Sequence, residues 1–287
     1  TFVFSVRRSY LQLLFSTLGL PFLPTYNDAQ FKNRIRFNDK NELTIIGLGA
    51  YDDNVLNLDA NETEEQRYIL KYLPENTQWN YTLGAVYKHY MEHGYQTVVL
   101  SRNHLNNASK KYRENIEANE NLTFDYLSNE VETKLRYENL FRQGEWKFLY
   151  GAGTEFNEYT NDTYNKILVN NQSFDFKYNT DINFASYNAF GQASVYLFNR
   201  RLLFSSGLRI DGNTYSGDMS NPLKQLSGQF SVSYNLTPEW SLNFNTGNYF
   251  QRPAYTTMGF RNSIGELINK KNGLTYITAN HLVFGVE

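Results

Sequence analysis

Apolar and polar residues alternate through Lys224–Gln251. Leu226, Phe230, Val232, Tyr234 and Leu236 are interleaved with Ser227, Gln229, Ser231, Ser233 and Asn235. After Thr237-Pro238-Glu239 the period resumes, with Trp240, Leu242 and Phe244 set against Ser241, Asn243 and Asn245. Successive strand side chains point to opposite faces, so the stretch predicts a hairpin with one apolar and one polar face. Whether the apolar face meets a protein core or lipid decides the function.

The same period runs along the chain. Phe2, Phe4 and Val6 predict a first strand, and Leu20–Asp28, rich in turn formers, predicts a loop. Phe31, Ile35 and Phe37 alternate with Lys32, Arg34 and Arg36, and Leu43–Tyr51 returns after a turn at Asn38–Glu42. Asn57–Gln78 reads as a long acidic connection, with a short helix at Ile69–Leu73. Trp79, Tyr81, Leu83, Ala85 and Tyr87 share a strand face; His93-Gly94 turns the chain into Tyr95–Leu100, and the polar Ser101–Asn121 reads as a loop. Val131, Thr133, Leu135 and Tyr137 alternate with Glu130, Glu132, Lys134, Arg136 and Glu138. Beyond Arg142–Glu145, Phe148, Tyr150, Ala152 and Phe156 oppose Lys147, Glu155 and Asn157. A loop at Asn161–Thr180, strands at Asn183–Phe198 and around Phe204–Ile210, a loop at Gly212–Leu223, and a long segment at Arg252–Asn280 complete the chain. The sum is about a dozen strands in one antiparallel meander.

A soluble sandwich also has one apolar face, so three further features are needed to separate it from a barrel. Alternation persists through Asn129–Phe141, Trp146–Tyr159 and Trp240–Gln251. Those runs exceed the roughly five or six residues of an ordinary strand and match the roughly nine to eleven that cross a bilayer. Connections alternate between roughly three to five and roughly ten to thirty residues, the asymmetry of outer-membrane barrels. Tyr95, Tyr137, Trp146, Tyr234 and Trp240 gather beside the short turns, where an interfacial aromatic girdle belongs.

Composition narrows the choice. Aromatic residues make up 16% of the 287 residues, which favours pleated surfaces. The formal charge of −2 gives no basic footprint, so no nucleic-acid partner is expected. There is no cysteine, which removes disulfides and thiolate metal sites. Mean hydropathy is −0.57, and no apolar run is long enough for a membrane helix; Leu11–Phe15 is far too short. Neither fact bears against a barrel, whose strands dilute each lipid-facing residue with a lumenal one. No signal peptide opens the chain, and both Thr1–Phe4 and His281–Glu287 read as strand interior, so a section of a longer protein is expected.

Chemistry-bearing motifs are weak. His89 and His93 have a helical metal-binding spacing, but they fall at a strand end, so no metal site is expected. Gly47-Leu-Gly49 and Gly151-Ala-Gly153 lack the following helix of a phosphate loop and read as small strand residues. The acidic Glu62–Glu65 reads as a solvated loop, and Asn-x-Thr triplets follow from an Asn/Thr-rich chain. No nucleophile–base pair or carboxylate dyad stands out; no catalytic residue, enzyme activity or cofactor is expected.

Leu202–Asp211, Tyr234–Leu242, Gly247–Pro253 and Leu274–Glu287, taken in order, resemble the barrel of TonB-dependent outer-membrane receptors of the Bacteroidetes type. Val6–Leu11 and Pro24–Asp28 are similar to the strand and loop before that family's central hairpins. The resemblance implies an all-β, antiparallel up-and-down transmembrane β-barrel of 22 strands in a Gram-negative outer membrane. It also implies an N-terminal plug domain and an upstream segment that engages the TonB complex, neither of them within this sequence. Residues 1–287 are then expected to be part of one transmembrane β-barrel domain, surrounded by outer-membrane lipid, with a surface lipoprotein as a further partner.

The function so implied is active import of a scarce ligand such as a metal chelate, cobalamin, glycan or peptide. Tyr249, Gln251 and Arg252 place an aromatic, an amide and a cation at the outer end of one strand, and they are the expected ligand contacts. Packing of the lumen against the plug would use the same three residues. Two other readings stay open: a passive pore or structural barrel without a plug, in which the first and last strands would pair, and a soluble glycan-binding β-protein.

Overall fold

The computed structural model describes residues 1–169 and 172–287. The alternating segments form strands β1 (Phe2–Arg8), β2 (Phe22–Asn38), β3 (Asn41–Leu56), β4 (Glu75–Met91), β5 (Gly94–Tyr112) and β6 (Leu122–Gln143). They continue as β7 (Trp146–Val169), β8 (Gln172–Leu197), β9 (Leu202–Asn213), β10 (Leu226–Asn235), β11 (Ser241–Gln251) and β12 (Ile277–Val286). All twelve belong to one sheet in chain order, each antiparallel to the next. β1 pairs with β2 and β12 with β11; among the described residues they do not pair with each other, so a closed twelve-stranded barrel is not formed.

Register carries the apolar face around the sheet. Phe4 lies opposite Phe31, Leu43 opposite Tyr87, Val98 opposite Tyr137, Phe204 opposite Val232 and Val232 opposite Phe244. The face is uncovered: Leu83, Leu100, Leu135, Leu208 and Phe284 are all about half exposed or more. A continuous exposed apolar band on a single curved sheet is the surface that lipid covers. Aromatic residues edge it on both sides. Tyr137, Tyr150, Trp146, Tyr234 and Trp240 flank the short turns, while Trp79 and Tyr81 stack 6.4 Å apart farther up, with His104 4.6 Å from Trp79. On β4 the two levels, Tyr87 and Trp79, are eight residues apart. At about 3.3 Å per residue and a tilt near 40°, that is about 20 Å along the membrane normal, close to the expected apolar band. Tyr95 is a correction. It lies opposite Tyr90 on the inner face, packed at 6.4 Å from that ring with the Lys88 ammonium 4.4 Å from its own.

The connections after β2, β4, β6, β8 and β10 are short and lie at one end. Three have two residues; the one after β10 is closed by Thr237, whose Oγ1 accepts from the Glu239 and Trp240 amides. Gly144, with φ +59, supplies the left-handed residue of the β6–β7 turn. The opposite end carries the long connections and the helices α1 (Leu11–Thr17), α2 (Glu64–Tyr72), α3 (Gly217–Ser220), α4 (Tyr255–Gly259) and α5 (Ile268–Lys271). No helix among the described residues is long and apolar enough to cross a membrane.

α2 realises the short helix expected in the acidic connection. A reciprocal Thr63–Gln66 capping box starts it, and Glu64 and Glu65 meet the positive end of its dipole. Its last carbonyls, Leu70 and Leu73, accept from the nearly buried Lys111 ammonium, which also reaches Asn115.

Three expected loops are strand instead. β2 begins at Phe22, within Leu20–Asp28; β5 runs to Tyr112, through most of Ser101–Asn121. The expected loop Asn161–Thr180 is occupied by β7 and β8 on either side of residues 170–171, which lie outside the described residues. The paired backbone continues above the lipid band, where both faces meet water or protein and the apolar/polar period fades.

Candidate functional site

The polar face of β6 carries Glu130, Glu132, Lys134, Arg136 and Glu138, all directed inward by the strand's period. All of them but Glu130 are paired locally. Lys134 pairs with Glu132 at 2.7 Å and with Glu155 of β7 at 3.2 Å, Arg136 with Glu138, and Arg209 of β9 with Asp211 at 2.6 Å. On β2 and β3, Arg34 pairs with Glu42.

Into this wall reaches Arg252, the residue after β11. Its guanidinium donates to Asn157 Oδ1 at 2.6 Å and Glu132 Oε1 at 3.1 Å, and it lies 3.4 Å from Glu155. The Tyr255 and Phe184 rings flank it, 4.4 and 5.2 Å from ring centre to guanidinium carbon. Tyr255 Oη lies 2.8 Å from Glu132 Oε1 and 2.6 Å from Asn157 Oδ1; burial raises the pKa of this phenol. Two carboxylates, an amide and a phenol therefore satisfy one cation in a mostly enclosed setting, where an uncompensated charge would be costly.

An apolar cluster extends the contact. Tyr159, Ile182 and Phe184 from the wall pack with Tyr215 and Met219 of the β9–β10 connection and with Tyr255 and Met258. Met219 and Met258 are fully buried, each worth about 1.5–3 kcal/mol of burial. Gly259 lies so close that a Cβ there would be 2.7 Å from the Tyr159 ring. Thr180 donates to the Gly259 carbonyl and Tyr215 to that of Met258. The start of the β11–β12 connection is thus pinned flat across the inner wall of β6–β8. Beyond it, Arg261 and Leu267 form an isolated bridge, and the exposed Ile264 lies in the turn between them.

Of the three expected ligand contacts, Tyr249 and Gln251 lie on the inner face of β11. Tyr249 packs against His281, ring centres 4.9 Å apart, and Gln251 is exposed. Arg252 does not join them but is turned among the β6 and β7 side chains. Glu132, Asn157, Glu155 and Tyr255, its partners, were not singled out as site residues; the dense charge on β6 was the available signal. Among the described residues no cluster of three or more His, Asp or Glu could hold a metal ion.

An apolar outer band, an ion-paired inner wall and five short turns at one end define the wall of a membrane-spanning β-barrel. The TonB dependent receptor-like, beta-barrel family model matches residues 7–281. The chain belongs to the TonB-dependent receptor β-barrel family. This receptor barrel is accordingly an outer-membrane protein of a Gram-negative bacterium. Solved structures share its fold. It is similar to the copper transporter OprC (TM-score 0.68, 13% identity, covering 93% of this chain and 43% of that one). It is also similar to the ferric enterobactin receptor PfeA of Pseudomonas aeruginosa (0.60, 15%, 83% and 35%) and the ferric citrate transporter FecA (0.60, 10%, 93% and 41%). The receptor barrel spans less than half the length of each of these chains. No curated protein matches it.

Proposed function

We propose that this chain, as one barrel domain over 1–287, forms the wall and outer connections of an active importer with 22 strands in all. In this reading a plug domain closes the lumen, and the TonB complex, engaged through a segment outside this sequence, drives the plug's rearrangement. A scarce ligand, whether metal chelate, cobalamin, glycan or peptide, binds at the outer mouth and passes inward without covalent chemistry. A surface lipoprotein is a further partner. The observation that supports the reading is the combination of an exposed apolar outer band with an inner wall on which most charges of β6 and β7 are paired off. Such a wall encloses a water-filled path without holding a charged cargo fast.

Tyr249 and Gln251 offer a ring and an amide from the open inner face of β11. Arg252 serves as a contact once it is released from Glu132 and Glu155. The deciding experiment compares cargo accumulation in the periplasm of cells that express the whole receptor, with and without functional TonB. Import predicts accumulation that disappears with TonB. Accumulation that persists and merely follows the external concentration would establish a passive pore.

A further inference from the structure

Away from the Arg252 network, β2–β5 carry a second inner-face cluster. Register places Tyr26 opposite Asp52, Asp52 opposite Gln78, and Gln78 opposite Asn107. Asn80 is two residues along β4 from Gln78, on the same face. With strands about 4.8 Å apart and about 6.7 Å between alternate residues, the five α-carbons fall within about 14 by 7 Å. Gln78 is thirteen residues above the β4–β5 turn, about 33 Å along the normal at a tilt near 40°. That height exceeds the apolar band, so the cluster faces the outer vestibule.

The side chains of Gln78, Asn80 and Asn107 are half-buried and take no internal hydrogen bond among the described residues. Neighbouring amides differ: Asn76 accepts from Ser109 and Asn103 from Thr82. Each free amide offers a carbonyl acceptor and two N–H donors. Asp52 adds an acceptor and has no ion-pair partner among the described residues, and Tyr26, 46% exposed, adds a ring face. Among the described residues no cation is paired with any of them, and the unpaired Lys32 of the same face lies six residues along β2 from Tyr26. Arg7, on the same face, is paired with Asp28 at 2.9 Å; Lys111 is taken up by α2, and Lys134 and Arg252 by Glu132 and Glu155.

Open donors and acceptors side by side, a ring face and a net negative charge suit a ligand that is uncharged and dense in hydroxyls, each both donor and acceptor. A carboxylate-rich chelate would meet Asp52 with nothing to balance it. We infer that Tyr26, Asp52, Gln78, Asn80 and Asn107 form a recognition site for a neutral oligosaccharide at the outer vestibule. The inference rests on the importer reading and names its cargo class.

The test is calorimetric titration of the whole receptor in detergent with maltohexaose, xylohexaose and cellohexaose, and with ferric citrate as the anionic probe. At least one neutral hexasaccharide is expected to bind with Kd below about 1 mM. The Gln78→Ala/Asn107→Ala variant should weaken that binding about tenfold or more through the loss of two hydrogen-bonding side chains. Thr77→Ala, on the opposite face of β4, should leave it unchanged, and heat-modifiable gel migration should show all variants folded. Asn80→Asp keeps the shape, adds charge and should also weaken binding. The inference is overturned if no hexasaccharide binds, if the double variant binds as the parent does, or if only ferric citrate binds. Uptake separates the two claims: saccharide binding with TonB-independent entry sinks the importer and spares the site, whereas TonB-dependent entry of the anionic chelate alone does the reverse.

Discussion

Arg252 has three polar partners contributed by two neighbouring strands, Glu132 from β6 and Glu155 and Asn157 from β7. Its side chain is 22% exposed, so the cost of losing it lies below that of a fully enclosed ion pair. Arg252→Ala is expected to cost about 1–3 kcal/mol of local order. Limited proteolysis of the folded receptor should then cut between Ala254 and Phe260, where the parent resists. The far part of the same connection is held by exposed bonds: Lys271 Nζ to Glu266 at 2.8 Å and Asn262 Nδ2 to Glu266 at 3.1 Å. The Lys271 hydrogen bond, then that from Asn262, holds the Glu266 carboxyl below its ordinary pKa. A depressed carboxylate pKa stabilises the folded form above the unfolded value, near 4.3, and that contribution is lost as pH falls through the folded value. A spin label at Ser263→Cys should therefore gain mobility on acidification below about pH 4. In the Glu266→Gln background it should be mobile already at neutral pH. Parity placed Glu132 on a lumen-side position from sequence alone, whereas Arg252 shares the even parity of the lipid-facing Leu242 and Phe244. Their meeting was not legible, because the two residues are 120 apart in the chain and Arg252 lies just beyond the strand whose period would place it.

At the scale of elements, the β10–β11 hairpin carries the two faces most clearly, with Val232 opposite Phe244 and Ser231 opposite Asn245. Phe230→Arg puts a cation on the lipid side and should cost about 2–4 kcal/mol near the bilayer centre. Ser231→Arg faces water and should cost far less. The folded fraction in lipid vesicles, followed by urea titration and gel migration, compares them; equal losses would mean that the faces are assigned the wrong way round. Strand interiors were readable because lipid on one side and water on the other impose a period of two. Strand ends were not. The outer parts of β5, β7 and β8 have wet or protein-covered faces on both sides, so Ser101–Tyr112 and much of Asn161–Thr180 looked like loop while the backbone ladder ran on. Tyr95 was misplaced for a related reason: a tyrosine beside a short turn suits either face, and register with Tyr90 chose the inner one.

For the whole molecule, the asymmetry of the connections sets orientation. Cysteines introduced at Glu62 or Ile264 are expected to react with an impermeant maleimide on intact cells, and one at Gln143 only after the outer membrane is opened. The reverse pattern would invert the barrel. The folded outer end also shows that the mouth is partly covered, since the β9–β10 and β11–β12 connections share one apolar cluster with the wall.

From the sequence alone came the strand count, the two faces, the end that carries the long connections and the family, because each depends on short-range period or on local composition. Tertiary structure decided what the inner wall does with its charges. It paired Lys134 with Glu132 and Glu155, spent Arg252 and Lys111 on the protein itself, and left Gln78, Asn80 and Asn107 without internal partners among the described residues. Hydrogen bonds and ion pairs reach only a few ångströms, and only the register of strands far apart in the chain determines which groups come that close.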